Sequence, residues 1–96
     1  MTTPVEVFES VAAELESQHS DVGRNRKGSL VLAGGGVCAM TSKGAIVVRL
    51  APQRVRALVE SGAGRHYKGQ VNAWLELSAE LSVHRCRALI QESLGR

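Results

Sequence analysis

The sequence contains few aromatic residues, and this scarcity excludes several ways of binding nucleic acids. Its 96 residues include one phenylalanine, one tyrosine and one tryptophan, which are Phe8, Tyr67 and Trp74. Domains that stack nucleic-acid bases on a sheet or in a groove need several aromatic side chains close together. We therefore expect no base-stacking platform, and the sequence also has no helix-turn-helix pattern.

Cysteine is also scarce, which argues against a disulfide framework and against a metal site. The two cysteines, Cys38 and Cys86, lie far apart among apolar residues, whereas small secreted domains are much denser in cysteine. His84 and Cys86 are two residues apart, so on a helix they point to different faces and cannot share a metal ion. We expect two buried, reduced thiols, no metal ion and no cofactor.

Long apolar runs are absent too. The longest uncharged stretch, Ser29 to Ser42, contains three glycines and is too short to cross a membrane. The first six residues lack the basic and apolar segments of a signal peptide, so we expect a cytoplasmic protein.

The glycines at 34–36 precede a strand pattern instead of a Gly-Lys-Ser/Thr helix start, which favours a hairpin turn over a phosphate-binding loop.

Charge is distributed unevenly along the chain. The first 22 residues carry five acidic side chains and no Lys or Arg, whereas the remainder carries all twelve basic residues against four glutamates. A basic body can attract a polyanion. The acidic first segment can equally lie across the basic body and cancel its charge, and the sequence leaves both alternatives open.

The hydrophobic pattern predicts a single α+β domain over residues 1–96. Thr3, Pro4 and Glu6 form a typical helix start with a capping box, and the apolar stripe that follows predicts a helix from Pro4 to about Gln18. A second helix is predicted to begin at Pro52 and to be stopped by the segment 61–64, and a third is predicted from about Ser82 to Leu94. The predicted strands, from alternation and turn residues, are 30–32, 37–40, 45–50 and 73–77, with a further short strand considered near His66.

This order, α-β-β-β-α-β-α, predicts an antiparallel sheet of about four strands with three helices. Short turns between successive strands require antiparallel pairing, so a doubly wound parallel sheet is excluded. In the strand at 45–50, Ile46, Val48 and Leu50 share one face, while Ala45, Val47 and Arg49 share the other.

The part of the chain from Lys43 onward resembles the TfoX N-terminal and MmcQ/YjbR-like family of small bacterial domains. The resemblance is carried by the strand and helix at 44–62 and by the segment 73–77. The matching positions are Arg49, Leu50, Pro52, Arg54, Gly62, Tyr67 and Trp74. The segment before residue 43 departs from the family pattern, and the loop at 68–72 is shorter. The resemblance implies a compact α+β fold that secretion-chaperone-like proteins also have, no shared catalytic residues, and the DNA-binding label that some members carry.

The sequence assembles no acid, base and nucleophile, so we expect a non-enzymatic binding domain. The first hypothesis is nucleic-acid binding, with phosphate contacts from Arg24, Arg26, Lys27, Arg65 and Lys68. The alternative is a protein-interaction or homodimerisation module without nucleic-acid affinity, which uses Val47, Arg49 and Trp74 on the half-apolar sheet face.

Overall fold

The computed structural model describes residues 3–67 and 73–95 and shows an α+β fold with three helices and a six-stranded antiparallel sheet. In chain order the elements are α1 (Pro4–Gln18), β1 (Val22–Arg24), β2 (Leu30–Leu32), β3 (Val37–Ser42), β4 (Ala45–Arg49), α2 (Pro52–Glu60), β5 (Gly64–His66), β6 (Trp74–Leu77) and α3 (Val83–Ser93). Their order across the sheet is β1-β2-β3-β4-β6-β5.

Helix α1 begins with the capping box that the sequence predicts. The backbone N–H of Glu6 donates to Thr3 Oγ1 at 3.2 Å, and the backbone N–H of Thr3 donates to Glu6 Oε1 at 2.9 Å. The bond from the Thr3 backbone, followed by the one that involves the Thr3 side chain, lowers the pKa of the Glu6 carboxyl. Two otherwise unpaired backbone donors are thereby satisfied, which fixes the start of the helix.

The prediction of about four strands is wrong in number, because the sheet has two further strands at its edges. Val22–Arg24, which lies outside the predicted strands, forms β1. The short strand considered near His66 is Gly64–His66, which forms β5. Each has three residues, too few for an alternating pattern, so both depend on backbone hydrogen bonds to one neighbouring strand.

Strand β4 lies inside the sheet, between β3 and β6. It is joined to β3 by a two-residue turn in which Lys43 and Gly44 have φ angles of 52° and 82°. Positive φ at both positions is typical of the turn that matches the right-handed twist of a hairpin. This turn places β3 and β4 in a register that pairs Met40 with Val47 and Ala39 with Val48.

All three helices contribute to one hydrophobic core on one face of the sheet. The buried residues of each helix belong to the same cluster as Ile46, Val48, Leu75 and Leu77 of the central strands. The register shifts between Leu30 and Val31, where β2 pairs with β3. A bulge at this place explains how the consecutive residues Cys38 and Ala39 are both buried in that core.

Close packing at the sheet edge predicts that Gly64 tolerates no side chain. A Cβ atom there would lie 2.4 Å from the carbonyl oxygen of Glu76 and 3.1 Å from Leu75 Cδ1. We expect Gly64→Ala to lower the free energy of unfolding by about 2 kcal/mol, measured by urea denaturation. Gly23→Ala is the matched control, because Gly23 lies in the other edge strand with nothing within 4 Å of its Cβ position. Equal effects of the two substitutions would contradict this packing.

Candidate interaction surface

The face of the sheet opposite the core carries a mixed apolar and polar surface, which we call the open face. Strand register and alternation place eleven side chains there: Val31, Val37, Met40, Ser42, Ala45, Val47, Arg49, Arg65, Tyr67, Trp74 and Glu76. Within the described residues, 3–67 and 73–95, no helix places a buried residue against this face, because the buried residues of the helices all belong to the core cluster.

The centre of the open face is apolar. Met40 pairs with Val47, and Arg49 pairs with Trp74 on the neighbouring strand. Val47 is fully buried, yet it is not part of the core cluster. Met40 and Trp74 are partly buried and Arg49 is exposed, so these three residues present the accessible part of the centre.

The structure therefore brings together the three residues predicted for a protein interface, with one difference. Arg49 and Trp74 reach the surface and are direct cross-strand neighbours. Val47 is buried between its cross-strand neighbours Met40 and Glu76, because β4 is flanked on both sides and its side chain is short. Val47 supports the surface without being accessible itself.

A groove with a volume of about 390 Å³ lies on the open face beside the turn between β3 and β4. We call it the basic groove and define it by Ser42, Lys43, Arg65, His66, Tyr67 and Glu76, which line it together with Ala45. The hydroxyls of Ser42 and Tyr67 lie 3.0 Å apart. Because β4 and β6 separate β3 from β5, this hydrogen bond links distant parts of the sheet.

Arg65 is an exposed side chain in this groove and forms an ion pair with Glu76. Its Nε donates to Glu76 Oε2 at 2.9 Å, and its Nη2 lies 2.8 Å from the same oxygen. The Arg65 side chain is 78% exposed and the Glu76 side chain 21% exposed. Glu76 thus holds one edge of the guanidinium against the sheet, and the Nη1 end takes no part in that pair.

The residues predicted to contact nucleic acid are divided between the two edges of the sheet. Arg24 belongs to β1 and Arg65 to β5, which are the first and last strands of the sheet. Five strand spacings separate them, which is roughly 24 Å. Arg26 and Lys27 are exposed in the turn after β1, and Lys68 lies outside the described residues. The four of these side chains that lie in the described residues therefore do not form one patch.

Arg24 is also engaged within the chain. It forms ion pairs with Glu9 and with Glu16, the latter at 3.2 Å, and its Nε donates to the carbonyl oxygen of Gly28 at 2.8 Å. Its guanidinium carbon lies 5.6 Å from the centre of the Phe8 ring. These contacts place Arg24 on the helix side of the sheet and join β1 to α1.

Other ion pairs follow the same pattern, in which acidic side chains neutralise the basic body. Glu14 of α1 lies 3.0 Å from Arg87 of α3, and Glu92 of α3 lies 2.9 Å from Arg54 of α2. The second contact raises the pKa of Arg54. The charge distribution left two alternatives open. For Arg24 and Arg87, these contacts show the second one, in which the acidic helix α1 cancels the positive charge of the basic body.

Both cysteines are buried free thiols, as predicted. The thiol of Cys38 lies 3.6 Å from the carbonyl oxygen of Gly36 and donates to it, while desolvation raises the pKa of Cys86. Among residues 3–67 and 73–95 no group of three or more His, Cys, Asp or Glu residues is arranged to hold a metal ion. Within the same residues no helix combines the length and apolar character needed to cross a membrane.

Comparison of the chain with protein-family models, with curated proteins and with solved structures finds no match. The resemblance to TfoX N-terminal and MmcQ/YjbR-like domains thus remains a prediction. The geometry of the open face is the basis for assigning a function.

Sequence reasoning did not identify Ser42, Lys43, Tyr67 and Glu76 as parts of one site. Ser42 and Tyr67 are 25 residues apart, and their approach depends on the β6-β5 pairing at the sheet edge. The alternation of Trp74, Leu75, Glu76 and Leu77 was a usable signal, because it puts Glu76 on the same face as Trp74.

A pair of matched substitutions distinguishes the open face from the core. Leu75→Gln places an amide in the core, where Leu75 has no exposed surface, and we expect it to lower the free energy of unfolding by at least about 3 kcal/mol. Met40→Gln on the open face leaves the amide accessible to water, so its cost should stay below about 1 kcal/mol. Urea denaturation measures both, and a large loss for Met40→Gln would show that the open face is covered.

Proposed function

We propose that this chain is a non-enzymatic protein-interaction module that binds a partner through the open face of its sheet. The observation that carries the proposal is the one-sided packing: the buried residues of three helices lie in one cluster, while Met40, Arg49 and Trp74 lie on the other side. An apolar surface rimmed by polar groups is typical of protein-binding sites. A cytoplasmic location is part of the proposal and is supported by the two buried free thiols.

Composition at the centre of the open face supports protein binding in particular. Tryptophan, methionine and arginine are among the side chains enriched in protein interfaces, and tryptophan and arginine are also among those that dominate binding energy. Trp74 and Arg49 are cross-strand neighbours, and Met40 lies on the same face beside the buried Val47. All three lie on paired strands of one sheet, and a preordered backbone limits the entropy lost on binding.

Nucleic-acid binding is less well supported by the same structure. Arg26 and Lys27 are exposed at the turn after β1, and this is the observation that favours it. However, Arg24 is paired with two glutamates and Arg65 lies at the opposite edge. Proteins that hold DNA through its backbone commonly contact several successive phosphates, and the described cations form no such row.

Site-specific photo-crosslinking in the cells that naturally produce the protein tests the proposal. A benzophenone amino acid replaces Met40 or Trp74 on the open face, and Arg56 on the exposed side of α2 serves as the control position. We expect an adduct of the same mass from both open-face positions and none from position 56. An adduct of twice the mass of the chain would identify the partner as a second copy.

Two results of this experiment would contradict the proposal. One is the absence of any adduct from positions 40 and 74. The other is the same set of adducts from position 56, because this would mean that crosslinking reports random encounters. Urea denaturation of each variant checks that the substitution has left the fold intact.

A further inference from the structure

The basic groove combines hydrogen-bond donors with a small excess of positive charge. Lys43 and Arg65 contribute two positive charges and Glu76 one negative charge. Carboxylate oxygens only accept hydrogen bonds, whereas ammonium and guanidinium groups only donate them. The groove is therefore matched in charge and in hydrogen-bonding character to one bound carboxylate.

The existing contacts leave donors available for such a ligand. The pair with Glu76 uses Nε and Nη2 of Arg65, so the hydrogens on Nη1 are not used in it. The Ser42 and Tyr67 hydroxyls share one hydrogen bond. Since each hydroxyl carries one hydrogen, the acceptor in that pair keeps its own hydrogen for a further acceptor. Lys43 is exposed and adds an ammonium group at the same groove.

We propose that the basic groove binds a carboxylate carried by an acidic, apolar segment of a partner protein. This inference rests on the proposed function and specifies the chemistry of the partner. The same face that holds the groove continues into Met40 and Trp74, which suit apolar side chains next to the carboxylate. The glutamate–arginine pair acts as a positioning device, because Glu76 fixes the guanidinium that meets the ligand.

Charge complementarity favours an acidic, apolar polypeptide over a second copy of the chain and over a nucleic acid. A second copy would bring the same excess of cations, Lys43, Arg49 and Arg65 against Glu76, and like charges oppose self-association. A nucleic acid would offer a row of phosphates to a groove with one net positive charge and a partly apolar neighbourhood. An acidic, apolar polypeptide satisfies both the charge and the apolar surface.

Fluorescence anisotropy with defined probes tests the proposal on the full chain. The first probe is a short fluorescein-labelled peptide in which glutamates and leucines are interspersed, and the second has glutamine at every glutamate position. We expect the glutamate peptide to bind at least about tenfold more tightly, since charge-assisted hydrogen bonds are lost in the second. Single-stranded and duplex DNA are the third and fourth probes, titrated at several salt concentrations.

Two variants remove the donors, and a third controls for the general loss of charge. Lys43→Asn keeps a residue that tolerates positive φ in the turn, and Arg65→Gln removes the guanidinium. Each should weaken binding of the glutamate peptide about tenfold. Arg56→Gln removes one exposed positive charge on α2 and should leave the affinity unchanged. Circular dichroism verifies that the variants are folded.

The outcomes separate the partner chemistry from the proposed function. Equal binding of both peptides, no binding of the glutamate peptide, or insensitivity to Lys43→Asn and Arg65→Gln would overturn the carboxylate site. The open-face function would still hold if crosslinks form at positions 40 and 74. Binding of DNA that depends on Lys43 and Arg65, without peptide binding, would identify phosphate as the ligand instead. A doubled mass in light scattering would identify a second copy as the occupant.

Discussion

The antiparallel pairing of β4 with both β3 and β6 is the constraint on which the rest of the structure depends. Strand side chains alternate between two faces, so the fully paired β4 divides the molecule into two unlike sides. Ile46 and Val48 enter the helix-side core, while Val47 and Arg49 belong to the open face. A shift of one residue in this register would exchange the two sets and expose the core.

Ion pairs of Arg24 and Arg65 lie at the two edges of the sheet. Arg24 connects the edge strand β1 to α1, and Arg65 with Glu76 connects the other edge strand, β5, to β6. Short edge strands with charged side chains also discourage pairing with other chains. Ion pairs engage four of the basic side chains in the described residues, Arg24, Arg54, Arg65 and Arg87, while Lys43 and Arg49 remain exposed.

The sequence predicts the helices well and the sheet incompletely, for physical reasons. Thr3, Pro4 and Glu6 define the start of α1 through local contacts, so a local pattern is sufficient there. The face assignment of Ile46 and Val47 also follows from alternation within one strand. Strands β1 and β5 have three residues each, so their existence is decided by partners distant in sequence. For the same reason the hydrogen bond between Ser42 and Tyr67 could not be predicted. The sequence placed Arg49 and Trp74 on the same face of the sheet but did not predict that they are cross-strand neighbours.

Trp74 is the only tryptophan and lies on the open face, so its fluorescence reports the accessibility of that surface directly. We propose that this face is open to partners in the free protein. Acrylamide should therefore quench the emission of Trp74, to an extent that does not change with protein concentration. Emission typical of a buried indole, with quenching close to zero at every concentration, would contradict the account, because it would mean that the face is already covered.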